Sequence, residues 1–498
     1  MGSIRKQTII SSILVYVGFA IGFVNNYFFT RNGSFTPAEY GLTRIFTDFA
    51  QNMFAFGSLG VVPIIYKFYP YYKDNLQEKE IDLITWSFFL SVIGFVLVLA
   101  CGVYFEPYFI EKYQVKSPLI LDYYFWMFPF AMGMLFFCVL ESFSWALNLS
   151  VVSNFLKETG LRLLTAVLIA LFYLKLIDFK VFIYLFSIQY LVLFIILLSY
   201  LVKSGKLHFP TTVSRVTKKF WKKMVSIQVL VFGGALIAAL AATIDSFLIA
   251  GMLGLTEVGI FVWAQYAAAL IQVPQRSIQA VSVGVLSKAW KDKNFPEINR
   301  IYARSCINLL IMALFIFGNI WLNAKEGMIA LHIQKAYLDG LGVIFVLGMV
   351  RIIDAGTGLN AIVINTSTFW RFDFYSGVVL LALRLPLTYY LIKNYGIIGS
   401  AFAELFAYGT YNFIRFEFLR RKFNMQPFTR KTVYTLLLGA AAYAITYFAF
   451  DGITGWTGIF LKGGLFSILM ITGVFYLDLT PDAQQLYQGW KQKWKQKL

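Results

Sequence analysis

The chain has 498 residues, of which 59% are hydrophobic and only 14% charged; soluble domains carry roughly 25% charged residues, so an ordinary soluble fold is excluded. The formal net charge of +18 sits in short loops between apolar runs, which reads as membrane topology rather than a nucleic-acid interface. Cys101, Cys138 and Cys306 fall inside apolar runs and His208 and His332 in separate loops, so neither a disulfide framework nor a metal-ligand cluster is indicated.

At about 20 apolar residues per span, the sequence predicts an all-α polytopic membrane protein with about 14 transmembrane helices. The first, about 8–30, follows Arg5-Lys6, is too long for a signal-peptide core and lacks a small-residue cleavage site, so it is expected to be retained. Spans two to six are expected near 42–66, 81–103, 119–145, 155–175 and 181–203. A basic stretch from Lys203 to Lys223, with Lys206, Arg215, Lys218, Lys219 and Lys222, then separates them from spans seven to twelve. Those are expected near 223–250, 259–287, 299–323, 339–365, 373–393 and 397–418, followed by Arg420-Arg421-Lys422. Two further spans, near 431–450 and 456–478, lead to a tail in which Lys491, Lys493, Lys495 and Lys497 alternate with Gln and Trp494. The expected domains are an N-lobe, 1–203; a basic cytoplasmic linker, 204–222; a C-lobe, 223–423; and helices 13 and 14 with the tail, 424–498. With the N-terminus inside, inner loops hold about 27 Lys and Arg and outer loops about 8, which puts both termini and the linker in the cytoplasm. The tail is suited to anionic lipid.

The two halves also resemble each other. Glu39 to Asp74 aligns without a gap onto Glu257 to Asp292, bringing Glu39-x-Gly41 over Glu257-x-Gly259. A spacing shorter by one residue pairs Leu121-Asp122 with Leu338-Asp339, Asn148 with Asn365, and Gly160 with Gly377. Duplicated halves in an apolar chain suggest a transporter, here with both halves entering from the cytoplasm.

Ionisable residues deep in a span cost about 2.5–3.5 kcal/mol each, so they normally face a cavity or a partner. Arg276, Arg351 and Arg384 lie near the middle of their spans, and all three belong to the second half. Arg276 continues a polar stripe of Gln265, Gln272 and Gln279 at spacings that share one helical face. Arg351 has Asp354 three residues on, within reach of an intrahelical pair, whereas Arg384 has no acid one turn away and is followed by Pro386. Asp48 lies with Arg44, Gln51 and Asn52 on a polar face of span two. Asp48, Glu404 and Asp354 are the candidates for protonation or gating and Asn52 and the glutamines for cavity lining, while Asp245 and Glu141 read as partners of the arginines or as residues close to the interface. The central charges sum to a cationic path, which points to an anionic cargo. No phosphate-binding loop of the GxxxxGK[ST] kind, no catalytic triad and no sizeable outer loop is present, so the chain reads as a transporter rather than an enzyme.

The order of spans, the six-plus-six-plus-two organisation and the first-loop pattern Phe35-Thr36-Pro37-Ala38-Glu39-Tyr40-Gly41 resemble the polysaccharide-exporter branch, with its Wzx-type flippases, of the multidrug/oligosaccharidyl-lipid/polysaccharide exporter superfamily. The resemblance implies two six-helix lobes in a V arrangement around a cationic cavity, for which Arg276, Arg351 and Arg384 are the matching candidates. It implies a flippase for polyprenyl-pyrophosphate-linked O-antigen, capsule or exopolysaccharide units in the cytoplasmic membrane. Its partners would be the lipid-linked oligosaccharide, the bilayer, and polysaccharide polymerase and assembly proteins. No cofactor and no nucleic acid are implied, and coupling to H+ or Na+ is left open. A drug or organic-cation exporter of the same superfamily is the alternative, followed by a membrane-embedded glycosyltransferase. Span one carries no arginine deep in the membrane, only Asn25 and Asn26 near its outer end, which departs from the pattern expected of a lipid II flippase.

Overall fold

The computed structural model describes residues 2–482 apart from Asn148; the repeat partner Asn148 and the basic tail with Lys491 to Lys497 lie outside the described residues. All regular elements among them are helical. Ten helices are long and apolar enough to cross a membrane, eleven if one bent pair counts as a single span. This is fewer than the 14 read from sequence, and the reasons are local. Predicted span one, helical over Gly2–Thr30, is not among them; predicted span five carries Lys157, Glu158 and Arg162 around a π-helical turn, Phe155–Gly160; and predicted span twelve is helical but carries Glu404, Arg415, Glu417, Arg420, Arg421 and Lys422.

The chain forms two compact units, Met1–Gly259 and Ile260–Leu498. The first holds α1 (Gly2–Thr30), α2 (Pro37–Gly57), α3 (Val61–Asn75), α4 (Leu83–Tyr113), α5 (Met127–Ala146), α6 (Leu161–Tyr173), α7 (Phe179–Ser187), α8 (Gln189–Lys203) and α9 (Arg215–Met252). The most enclosed is α5, its apolar stretch 78% buried among α2, α3, α4 and α8. Helices α2 and α3, one predicted span, bend by 50° at Leu59 and Gly60, both with positive φ.

The Phe35–Gly41 motif builds the entry to α2. Phe35 is fully buried and stacks on Phe172 with centroids 4.1 Å apart. Thr36 is the N-cap and Pro37 opens the helix, where its missing N–H costs nothing. Glu39 closes a capping box, accepting from the Thr36 N–H at 2.7 Å while its own N–H donates to Thr36 Oγ1 at 3.2 Å. Tyr40 donates to Asn26 Oδ1 at 2.5 Å. Gly41 has no room for a side chain, because a Cβ there would lie 2.2 Å from the Leu255 carbonyl oxygen. A Cβ on Gly259 would lie 2.1 Å from the Pro37 carbonyl oxygen. The two positions equated by the sequence repeat therefore cross each other backbone to backbone.

Sequence reasoning assigned span seven to the C-lobe, whereas α9, which contains it, belongs to the first compact unit, whose boundary falls at Gly259 rather than in the linker. At 38 residues and 1.5 Å per residue, α9 is about 57 Å long, and polar ties hold it along its length. Asp82 accepts from the Ser214 N–H and Thr217 Oγ1, both at 2.9 Å. Gln228 donates to the Leu59 carbonyl at 2.6 Å, Asn52 to Thr243 at 2.7 Å, and Ser117 to the Ala250 carbonyl at 2.6 Å.

The second unit begins within α10 (Leu255–Ala269) and continues through α11 (Val273–Lys291), α12 (Phe295–Ala330), α13 (Leu341–Gly356), α14 (Trp370–Tyr395), α15 (Ile397–Phe423), α16 (Arg430–Ala449) and α17 (Gly455–Tyr476). In this unit α12 is the hub, packing on α11, α13, α16 and α17, while α15 packs on α13 and α14. Two predicted spans are interrupted. Span eight breaks at a 3-10 turn, Leu270–Gln272, just before Pro274; span ten ends at Gly356, and Gly358 has φ +67°.

Candidate functional site

Three helices of the second unit bring charge to one place. Arg351 on α13 donates to Glu404 Oε1 at 2.9 Å, and Arg384 on α14 donates to Glu404 Oε2 at 2.9 Å. Glu404, on α15, thus spreads its two oxygens over two guanidinium groups. The Arg384 and Glu404 side chains are 3% and 2% exposed, and Arg351 is 12% exposed. One turn beyond Glu404, the Tyr408 ring faces both guanidinium carbons at 5.9 and 5.7 Å, a cation–π platform.

Arg351 therefore pairs across helices rather than with Asp354. Asp354 instead accepts from Asn412 Nδ2 at 3.2 Å and from Gln272 Nε2 at 3.4 Å. Asn412 Oδ1 accepts in turn from Thr357 Oγ1 and Asn360 Nδ2, both at 2.9 Å, at the place where predicted span ten breaks. Arg415, one turn further along α15, pairs with Asp373, donates to Ser376 Oγ at 3.1 Å and lies 3.8 Å over the Tyr411 ring. The acids around the three arginines thus offset much of the cationic excess read from the sequence.

Arg276 is placed differently. It is exposed in the first turn of α11 and makes no ion pair among the described residues. Two residues before it, Pro274 lines an apolar groove of about 410 Å³ shared with Met312 and Phe315 of α12 and Met470, Val474 and Phe475 of α17. Gln265 and Gln279 are half-buried, and Gln272 alone of the glutamine stripe joins the Asp354 network. The stripe does not stay on one face. A 3-10 turn advances each residue by about 120° rather than 100°, so three such residues rotate the following helix by roughly 60°.

Asp48 and Asn52 belong to the first unit and the three arginines to the second. Asp48 is buried and paired with Arg44 at 2.8 Å; Asn52 is buried and committed to Thr243 and to the Asp48 carbonyl. Glu141 pairs not with one of the arginines but with Lys157, which reaches it from the π-helical turn at 2.7 Å. Sequence reasoning missed Tyr408, Asn412 and Arg415. Their signal was present as a polar stripe continuing from Glu404 at spacings of four, four and three along one helix.

The family model described as "Polysaccharide biosynthesis protein" matches residues 4–290. The chain belongs to that family. No curated protein matches it at a significant level. Among solved structures, the lipid II flippase MurJ in an inward closed conformation is 15% identical, with a TM-score of 0.74 over 95% of this chain and 99% of that one. An inward-facing multidrug resistance MATE transporter is 14% identical, with a TM-score of 0.65 over 84% of this chain and 98% of that one. A superfamily transporter from Pyrococcus furiosus, titled for the reverse polarity of its binding pocket, is 13% identical, with a TM-score of 0.55 over 84% of this chain and 96% of that one. This polysaccharide-biosynthesis chain thus shares the fold of multi-pass exporters of the multidrug/oligosaccharidyl-lipid/polysaccharide superfamily.

Proposed function

We propose that this protein is a flippase that moves a polyprenyl-pyrophosphate-linked oligosaccharide from the inner to the outer leaflet of the cytoplasmic membrane. The observation that carries this reading is that one compact unit holds both a largely buried pair of guanidiniums, Arg351 and Arg384, gathered on Glu404, and an apolar groove lined by Pro274, Met312, Phe315 and Met470. A lipid with an anionic head and a long isoprenoid tail needs both. Family membership in polysaccharide biosynthesis supports the glycan, and the fold shared with a lipid II flippase supports a lipid-linked cargo. Arg276, Arg351 and Arg384 are the proposed pyrophosphate ligands; a planar guanidinium can take two phosphate oxygens at once. The groove lets the tail remain in an apolar phase while only the head crosses. Moving about two negative charges outward across 100 mV, inside negative, releases roughly 4–5 kcal/mol, so the membrane potential can supply part of the drive. An exporter of organic cations would instead place unengaged acids in its path, whereas Asp48 and Glu404 are ion-paired and Asp354 is held by the amides of Asn412 and Gln272. The test is restoration of surface glycan in a strain lacking its own flippase. Restoration supports the reading, and accumulation of the lipid-linked unit on the inner leaflet despite normal protein abundance overturns it.

A further inference from the structure

We propose that Glu404 is an internal counter-ion whose charge holds the place of a cargo phosphate and drives cargo release; the proposal rests on the pyrophosphate reading of Arg351 and Arg384. Its carboxylate gives one oxygen to each guanidinium, at 2.9 Å and 2.9 Å, as a phosphate lodged between two arginines would. The site is also incomplete as a purely structural brace. The buried Arg351 Nε has no hydrogen-bond partner, leaving a donor for one more oxygen. Arg351 is the more exposed of the pair, so it marks the side from which an anion arrives. The Tyr408 ring lies 5.9 and 5.7 Å from the two guanidinium carbons, a contact that does not depend on the carboxylate of Glu404. The arginines therefore stay aimed when the carboxylate leaves.

Two anions cannot share two guanidiniums unless one swings away or takes up a proton, because like charges at such range oppose each other. Glu404 thus weakens cargo binding in the loaded state and refills the site as cargo departs. A transporter gains from this, since a site that binds without a competitor releases slowly.

The experiment uses the full-length protein in detergent with farnesyl pyrophosphate as probe, alongside the surface-glycan assay. Glu404→Gln should bind the probe at least tenfold more tightly than wild type and export more slowly. An unchanged or weaker affinity in folded Glu404→Gln protein overturns the proposal. Should Glu404→Gln not fold, Glu404→Asp keeps the charge but withdraws it by one methylene. It should bind the probe more tightly by a smaller factor, and no gain overturns the proposal equally. Arg384→Ala separates the two readings. If it binds the probe as wild type does, the pyrophosphate assignment itself fails; if it loses the probe while Glu404→Gln gains nothing, only the counter-ion role fails.

Discussion

Of the arginines singled out by the sequence, Arg276 is exposed whereas Arg351 and Arg384 share Glu404, and the consequences differ accordingly. Replacing exposed Arg276 by Ala should leave abundance and thermal stability near wild type while abolishing surface glycan, with Lys restoring it only in part because the fork is lost. Normal export by abundant Arg276→Ala protein would remove it from the site. Arg384 is buried against Glu404, so Arg384→Ala leaves a carboxylate with only Arg351. Removing one member of a buried ion pair costs about 3–5 kcal/mol, and here Arg351 remains to absorb part of it. Thermal unfolding should therefore shift down for Arg384→Ala and not for Arg276→Ala. From hydropathy, the sequence placed three arginines near the middle of their expected spans. It did not show their partners. The i,i+3 spacing of Arg351 and Asp354 suggested a local pair, yet Glu404 lies 53 residues away along the chain and is reached only because α13, α14 and α15 pack together.

At the scale of elements, apolar runs located nearly every helix, and their interruptions went unseen. Windowed hydropathy averages over a kink, so Leu59-Gly60, the 3-10 turn at Leu270–Gln272 and the end of α13 at Gly356 vanished into continuous spans. The π-helical turn at Phe155–Gly160 is another such break, and π turns recur at functional sites. Here it presents Lys157 to buried Glu141. Lys157→Ala should lower thermal stability by exposing Glu141 to an uncompensated burial, whereas Glu141→Leu with Lys157→Met should recover most of the loss. A double variant as unstable as the single one would mean that the turn needs the ion pair for its geometry.

For the whole molecule, the duplication read from sequence and the units formed by packing divide the chain at different places. The repeat suggests a cut in the linker, but α9 is tied from Ser214 to Ala250 into the first unit. Co-expressed fragments ending at residue 205 and starting at residue 206 should therefore accumulate poorly, because the first lacks α9. Ending the first fragment at residue 253 should restore abundance, and equal yields from both cuts would contradict the packing boundary. Orientation is tested by thiol labelling with exposed Cys101 removed. Ser204→Cys should react only from the cytoplasm and Val115→Cys, at a position 79% exposed, only from outside. The reverse pattern would invert the topology. Gly254 is a poorer reporter, since its φ of +131° strains any side chain.

The backbone crossing of Gly41 and Gly259 links the two copies of the repeat in a way that outlasts their common origin. Each glycine stands where the other copy's chain needs space, Gly41 against the Leu255 carbonyl and Gly259 against Pro37. A methyl group added at either site must push two helix entries apart, so the copies are not free to drift independently at this position. Elsewhere the identities between the two halves are sparse. The Glu-x-Gly pair is legible in both halves because each copy here is part of the other's environment. Among relatives, the two positions should therefore vary together, both small or both displaced, while the residues flanking them change separately.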